Sequence, residues 1–223
     1  MTQVKICGLT NLEDALVAAQ AGADLLGFIF HEPSPRYVKP EAVKEIVSGI
    51  KEQGSEVRFV GVFVNASLET ITHALDYCQL DLAQLHGDEP PELVNHFQSR
   101  AFKALRPQSL QEAENLIKKY ILHPSHLHCA QAQVSLILVD AYHPNLYGGV
   151  GQVTDWAMAA TFARQYSLLL AGGLTPENVA EAIRTAKPWG VDVSSGVEAV
   201  KGRKDHDKVR EFIQVAKNLK HSA

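Results

Sequence analysis

Eight short apolar runs, each separated from the next by a longer segment, leave this chain few folds to choose from. The runs are QVKIC, DLLGFIF, VRFVGVFV, LAQLH, AFKALR, SLILVD, SLLLA and GVDVS. Between them Val43, Ile46, Val47 and Ile50 recur at helical spacing, as do Val179, Ala182, Ile183 and Ala186, then Val209, Phe212, Ile213 and Ala216. Helix starts are signed as well. Thr10–Glu13 and Ser109–Glu112 fit capping boxes, and Thr175 before Pro176 fits an N-cap with proline at the first helical position. Strands alternating with helices build a parallel sheet, and eight of them in 223 residues predict a compact (β/α)8 barrel, one domain spanning residues 1–223. A doubly wound open sheet is the alternative. Its dinucleotide-binding form would carry G-x-G-x-x-G after the first strand, and this chain does not.

Composition narrows the partners. The net charge is -4 with acids and bases interspersed, so neither a basic stripe for nucleic acid nor a polybasic patch for a membrane surface is expected. The N-terminal residues read directly as a strand rather than a secretory leader, and no run of 18 apolar residues suggests a span. The three cysteines (Cys7, Cys78 and Cys129) are odd in number and scattered, which fits a reduced, cytoplasmic protein. No large apolar patch is legible on the helix faces, so a monomer is expected, with a homodimer the alternative.

Strand polarity then sorts the side chains. In a parallel barrel, branched apolar residues should face the helices and alternate positions the interior. On this reading Val4 and Ile6 face out, leaving Lys5 and Cys7 inside. Val60, Val62 and Val64 face out, leaving Phe63 and Asn65 inside. Gln84, His86, Leu136, Leu138, Asp140 and Asp192 all point inward. Polar residues thus gather at the strand C-termini, the end where barrel enzymes build their sites.

Several of these residues could carry chemistry. Cys7, at a strand tip before Gly8, is a base or nucleophile if its neighbours lower its pKa; a buried cysteine is otherwise a small hydrophobe. Asp140 ends the sixth strand with no helix starting at once, so a desolvated carboxyl there could donate a proton. Gly148, Gly149 and Gly151 follow the sixth strand, Gly172 and Gly173 the seventh, and Ser194, Ser195 and Gly196 the eighth. Such small-residue loops let backbone N–H groups approach an anion, and loops after strands seven and eight recur as phosphate sites in this fold. Arg36, on the loop after the second strand, could hold a carboxylate in bidentate fashion. His86 reads equally as a core histidine or a site residue. Lys5 and Asp192 lie on neighbouring strands of a closed barrel, and since either charge buried alone would be costly, they are expected to pair. His123, His126, His128 and Cys129 fall at the opposite face, where they read as a solvated loop rather than a zinc site.

A phosphorylated small-molecule ligand follows, but not one activity. An isomerase, a metal-dependent pentose phosphate epimerase, a thiol hydrolase using Cys7 and His86, and a non-catalytic phosphate-ligand binder all remain open on the residues alone.

The segments VKICGLTNLEDA, GFIFHEPSPRYV, VGVFVN, QLHGDE, YGGVGQVTDW, AGGLTPENV and VDVSSGVE together resemble the phosphoribosylanthranilate isomerase family, from the first strand to the last helix. The resemblance implies a (β/α)8 barrel and an Amadori rearrangement in tryptophan biosynthesis, with neither cofactor nor metal. N-(5-phosphoribosyl)anthranilate would become 1-(2-carboxyphenylamino)-1-deoxyribulose 5-phosphate. It further implies Cys7 as general base, Asp140 as general acid, Arg36 as holder of the anthranilate carboxylate and the glycine loops as phosphate site. Val150 and Gln152 stand where that family more often has a small hydroxyl residue and a lysine, which shifts phosphate binding toward backbone N–H groups.

Overall fold

The structure, a computed structural model, describes residues 1–120, 136–140 and 153–219. Strand and helix alternate throughout. The first half holds β1 (Gln3–Cys7), α1 (Leu12–Gln20), β2 (Leu25–Ile29), α2 (Pro40–Lys51), β3 (Arg58–Phe63), α3 (Leu68–Tyr77), β4 (Leu82–Leu85) and α4 (Pro91–His96). The second holds β5 (Ala101–Leu105), α5 (Leu110–Tyr120), β6 (Leu136–Asp140), α6 (Val153–Ala163), β7 (Ser167–Ala171), α7 (Val179–Ala186) and β8 (Gly190–Val193). A small antiparallel hairpin of β9 (Glu198–Val200) and β10 (Arg203–Lys204) precedes α8 (His206–Asn218). The strands pair in chain order, all parallel, and β8 returns to β1, so the expected barrel closes.

Two apolar layers result. Val4, Ile6, Phe28, Leu85, Val139 and Val191 belong to the layer between strands and helices, whereas Leu25, Val60, Leu82, Phe102, Leu138 and Leu169 fill the barrel interior. Alternation along β1, β4, β6 and β8 is as the sequence suggests. On β3 it is reversed: Val60 lies in the interior, Val62 lines the mouth, and Phe59 and Phe63 pack on the helix side. The reason is room. A Cβ on Gly61 would come within 2.7 Å of the Phe63 ring, so the glycine clears space on the outer face for an aromatic side chain. That ring stacks on Phe30 at 5.1 Å between centroids. Asn65 is not inside either. It is an exposed turn residue at φ 52°, whose Oδ1 accepts from the Asp88 N–H at 2.7 Å.

Two helix starts also differ from expectation. Asn11 caps α1, its side chain accepting from Asp14 N–H at 2.9 Å, and Thr10 instead donates to the Gly202 carbonyl at 2.6 Å. Asparagine wins because its amide also donates to the Asp14 carboxylate at 2.7 Å, closing a reciprocal pair. Thr175 and Pro176 open a turn, and regular helix begins at Val179, whose N–H already bonds the Thr175 carbonyl at 3.0 Å. Ser109 behaves as a cap, accepting from Glu112 N–H at 3.2 Å.

A buried ion pair under the β4 loop was not anticipated. Lys103 Nζ donates to Glu89 at 3.1 Å and to the carbonyls of Leu85, Gly87 and Ala104. Glu89 also accepts from the N–H groups of Asn65 and Gly87, so it binds the ends of β3 and β4 together. Burial weighs against the Glu89 charge, but the bonds from Asn65 and Lys103 outweigh it and hold its pKa below the usual 4.5. A carboxylate depressed in the folded state adds stability above its unfolded pKa and loses it as pH falls toward the folded value. Urea midpoints should therefore decline as pH drops below about 4.3. Glu89→Gln should start lower at neutral pH and decline less steeply. Equal acid slopes in the two proteins would contradict this account.

Candidate active site

The strand C-termini open into a cavity of about 440 Å³, within the size range of small-molecule clefts. Cys7, Arg36, His86, Asp140, Gly172, Gly173, Ser194, Ser195 and Gly196 all line it, so nine residues singled out along the sequence meet in one place. Gly149 and Gly151, with Gly148, Val150 and Gln152, lie outside the described residues, as do His123, His126, His128 and Cys129. Asp140 sits at the tip of β6, in register with Ala171 of β7.

The floor of the site is set at the β1–β8 seam. Lys5, with no exposed surface, donates to Asp192 Oδ1 at 2.8 Å, the pair expected from strand adjacency. Lys5 also interacts electrostatically with Cys7. The neighbouring strand β2 makes the space: a Cβ on Gly27 would fall 2.9 Å from Cys7 Sγ and 3.1 Å from Lys5 Nζ. Sequence reading missed Gly27, although a glycine inside an apolar strand signals such close approach. Gly8 continues the theme at φ 73°, where a Cβ would meet Arg36 Cδ at 2.6 Å and Ser194 Oγ at 2.9 Å.

Burial disfavours the Lys5 charge, but Asp192 and Cys7 beside it raise its pKa above the usual value. The neighbouring lysines do lower the Cys7 pKa, but not enough to bring it below the usual value. Burial pushes the thiol up, Asp192 adds to that, and Lys5 and Lys204 offset only part. Cys7 is therefore a thiol at physiological pH.

Arg36 does find a carboxylate in bidentate geometry, but within the chain. Its Nε and Nη2 donate to the two Glu198 oxygens at 2.7 and 2.8 Å. Lys204 Nζ reaches the same Glu198 at 3.3 Å and the Ser194 carbonyl at 3.0 Å. Burial opposes the Glu198 charge, yet Arg36 and Lys204 hold its pKa low, while the Glu198 bond holds that of Arg36 high. The guanidinium is therefore fixed in direction, with Nη1 making no bond to a described residue. Glu198 follows SSGV in the sequence, and nothing local to it announces a partner 162 residues away.

Gln84 and His86 sit side by side on the inner face of β4 and its tip, Gln84 Nε2 lying 2.7 Å from His86 Nδ1. Burial, with Arg106 adding to it, pushes the His86 pKa down to about 4. The imidazole is accordingly neutral at physiological pH. Ser194 Oγ is buried without a hydrogen-bond partner at the cavity wall. At Gly196 any side chain would overlap the Leu174 carbonyl oxygen, so the loops after β7 and β8 touch backbone to backbone. Among the described residues no three His, Cys, Asp or Glu side chains are grouped to hold a metal ion. No described helix is long and apolar enough to cross a membrane.

Comparison with known proteins agrees with this geometry. Residues 4–215 match the family model described as N-(5'phosphoribosyl)anthranilate (PRA) isomerase. The N-(5'-phosphoribosyl)anthranilate isomerase of Geobacter sulfurreducens is 46% identical over 217 residues, covering 97% of this chain and 99% of that one. The crystal structure of phosphoribosyl anthranilate isomerase from Thermotoga maritima is 42% identical, with a TM-score of 0.83, covering 98% of this chain and 100% of that chain. A phosphoribosyl anthranilate isomerase solved in complex with reduced 1-(o-carboxyphenylamino)-1-deoxyribulose 5-phosphate is 39% identical at TM-score 0.82, with the same coverage. On full-length similarity of sequence and fold, this chain belongs to the N-(5'-phosphoribosyl)anthranilate isomerase family.

Proposed function

We propose that residues 1–223 act as one (β/α)8 isomerase domain, converting N-(5-phosphoribosyl)anthranilate to 1-(2-carboxyphenylamino)-1-deoxyribulose 5-phosphate in tryptophan biosynthesis. Cys7 is its general base and Asp140 its general acid. The observation that carries the reading is the meeting of thiol, carboxyl and small-residue loops around one cavity. Asp140 protonates the furanose ring oxygen, the C1–O bond breaks, and the nitrogen lone pair forms an iminium. That cation acidifies the C2 proton, which the Cys7 thiolate takes. The electrons left behind form an enolamine, which tautomerises to the C2 ketone. No cofactor or metal has a part in these steps. Arg36, aimed by Glu198, holds the anthranilate carboxylate through its remaining edge. The loops at Gly172–Gly173 and Ser194–Gly196, with Gly149 and Gly151, hold the phosphate through backbone N–H groups and the Ser194 hydroxyl.

A raised thiol pKa is compatible with a thiolate base because the pair shares one proton. Thiol with carboxylate and thiolate with carboxylic acid carry the same net charge, and their ratio does not change between the two titrations. The reactive form is the second. Lys5 and Lys204 favour it by stabilising the thiolate, and the iminium does so further as it forms.

Among the described residues the exposed large apolar side chains (Met1, Leu12, Leu68, Leu110 and Val200) lie at the N-terminus and on four separate elements, which supports a monomer. Light scattering of the purified protein should give one chain mass; twice that mass would favour the homodimer. Cys7 and Cys78 are both free thiols, in keeping with a reduced cytoplasmic setting.

Loss of anthranilate-type fluorescence from substrate made in situ tests the activity, and chelator should not slow it. Cys7→Ala and Asp140→Asn should each lose about 10²–10⁴ in turnover while still binding substrate, and near-normal turnover in either would remove it from its role. On the alkaline side kcat/KM should fall as the pair loses its proton, with a limb above the ordinary thiol range of about 8.5. Lys5→Met should move that limb to higher pH and lower the plateau. The double variant Lys5→Met/Asp192→Asn, which leaves no unpaired carboxylate, should show the same direction. An unmoved limb in both would mean that Lys5 does not act on the thiol.

A further inference from the structure

Two cations share the Glu198 carboxylate, although one would balance it. Arg36 already occupies both Glu198 oxygens at 2.7 and 2.8 Å. Lys204 Nζ brings a second positive charge to within 3.3 Å of the same group, on a side chain with no exposed surface. Among these three side chains one positive charge is left over, and a buried charge without its counter-charge is costly. Charge balance therefore does not account for the lysine, but its reach does. Nζ also donates to the Ser194 carbonyl at 3.0 Å. Arg36 and Ser194 line the cavity, whereas the Lys204 side chain is sealed behind them. We propose that Lys204 is a positioning residue for both anion-binding ends of the site: the Ser194–Gly196 loop for the phosphate and, through Glu198, Arg36 for the anthranilate carboxylate. The proposal rests on the isomerase reading and adds to it the group that holds its two ends in one frame.

A planar trans peptide points its carbonyl and the following N–H in opposite directions. With the Ser194 carbonyl drawn back to Nζ, the Ser195 N–H is turned the other way, and Ser195 lines the cavity. At the second end, Nζ meets Glu198 Oε1, and the two Glu198 oxygens fix the Arg36 fork. An ammonium suits both tasks because its three donors leave one compact centre. The lysine is itself held from elsewhere. Its own N–H donates to Asp14 Oδ2 at 2.9 Å, and Asp14 belongs to α1. Thr10 secures the same hairpin through the Gly202 carbonyl at 2.6 Å. Nζ therefore does not follow either partner, and both partners are set by it. Lys204 makes no contact with the ligand; the charge left over is met when the anionic ligand enters.

The test compares reduced 1-(o-carboxyphenylamino)-1-deoxyribulose 5-phosphate with two one-ended analogues, one lacking the carboxylate and one lacking the phosphate. Dissociation constants are measured by calorimetry for wild type and Lys204→Met. The variant should bind each analogue about tenfold more weakly and the full ligand about a hundredfold, because losses at separate ends add. An analogue that loses nothing shows that Lys204 does not serve the end it retains, and equal losses for all three ligands show general loosening. Either result overturns the proposal. Lys204→Met/Glu198→Gln has the net charge of wild type, and the phosphate-bearing analogue should still bind it about tenfold more weakly. Wild-type affinity there would make Lys204 a distant charge rather than a positioning residue, and overturns the proposal too. Nitrogen NMR of the wild-type Lys204 ammonium needs no variant. Its signal should move with each analogue, and a response to only one of them, or to neither, overturns the proposal. Wild-type turnover of phosphoribosylanthranilate is measured alongside. Turnover without the end-by-end penalty removes this proposal alone, whereas absence of turnover removes the isomerase reading and this proposal with it.

Discussion

The ion pair between Lys5 and Asp192 spans the seam where β1 meets β8, and the chemistry of the mouth is arranged above it. Strand register puts the two residues opposite each other only once the barrel has closed. Before closure each charge is solvated; afterwards each would be buried alone without the other. The cost of leaving either unpaired therefore favours the closed register over a slipped one. The same lysine then serves the residue above it, its charge opposing part of the desolvation that pushes the thiol up. Gly27 is the neighbour that lets lysine and thiol occupy one pocket.

A second charge cluster fixes the rim. Glu198 aims Arg36 across the mouth and also receives Lys204. The hairpin carrying Lys204 is anchored in turn, its Lys204 N–H donating to Asp14 at 2.9 Å while the other Asp14 oxygen meets His206 Nε2 at 2.9 Å. Thr10 adds a bond to the Gly202 carbonyl. Loops from β1, β2 and β8 thus hold one another, and Arg36 arrives at the cavity with its direction already set. Preorganised charge of this kind costs little reorganisation when substrate binds.

The barrel was legible because its signal is repeated eight times, and each strand carries its own evidence. Where a single strand had to be judged by itself the reading failed. Val60, Val62 and Val64 look like an outer face, but Gly61 opens the outer side for the ring of Phe63, and the smaller Val60 and Val62 turn inward. At α1 two adjacent residues could cap, and only the contact of Thr10 with Gly202, 192 residues away, shows which one was left for the helix. Within the site, Cys7, Arg36, His86, Asp140 and the loops after β7 and β8 announced themselves by sitting at strand ends. Gln84 was seen to point inward without a role, because its contact with His86 exists only once both side chains are packed at the tip of β4. Glu198 and Lys204 were missed because their partners come from distant loops.

The order of strands and helices, the inward placing of Lys5, Cys7, Gln84, Asp140 and Asp192, and the clustering of small residues after β7 and β8 were determined by the sequence alone. All depend on local periodicity and on the chemical type of single residues. The tertiary structure decided the protonation state of Cys7, the neutrality of His86 and the direction of Arg36. Each of these is a balance between desolvation and a partner brought from another strand or loop, and neither quantity exists until the barrel has closed.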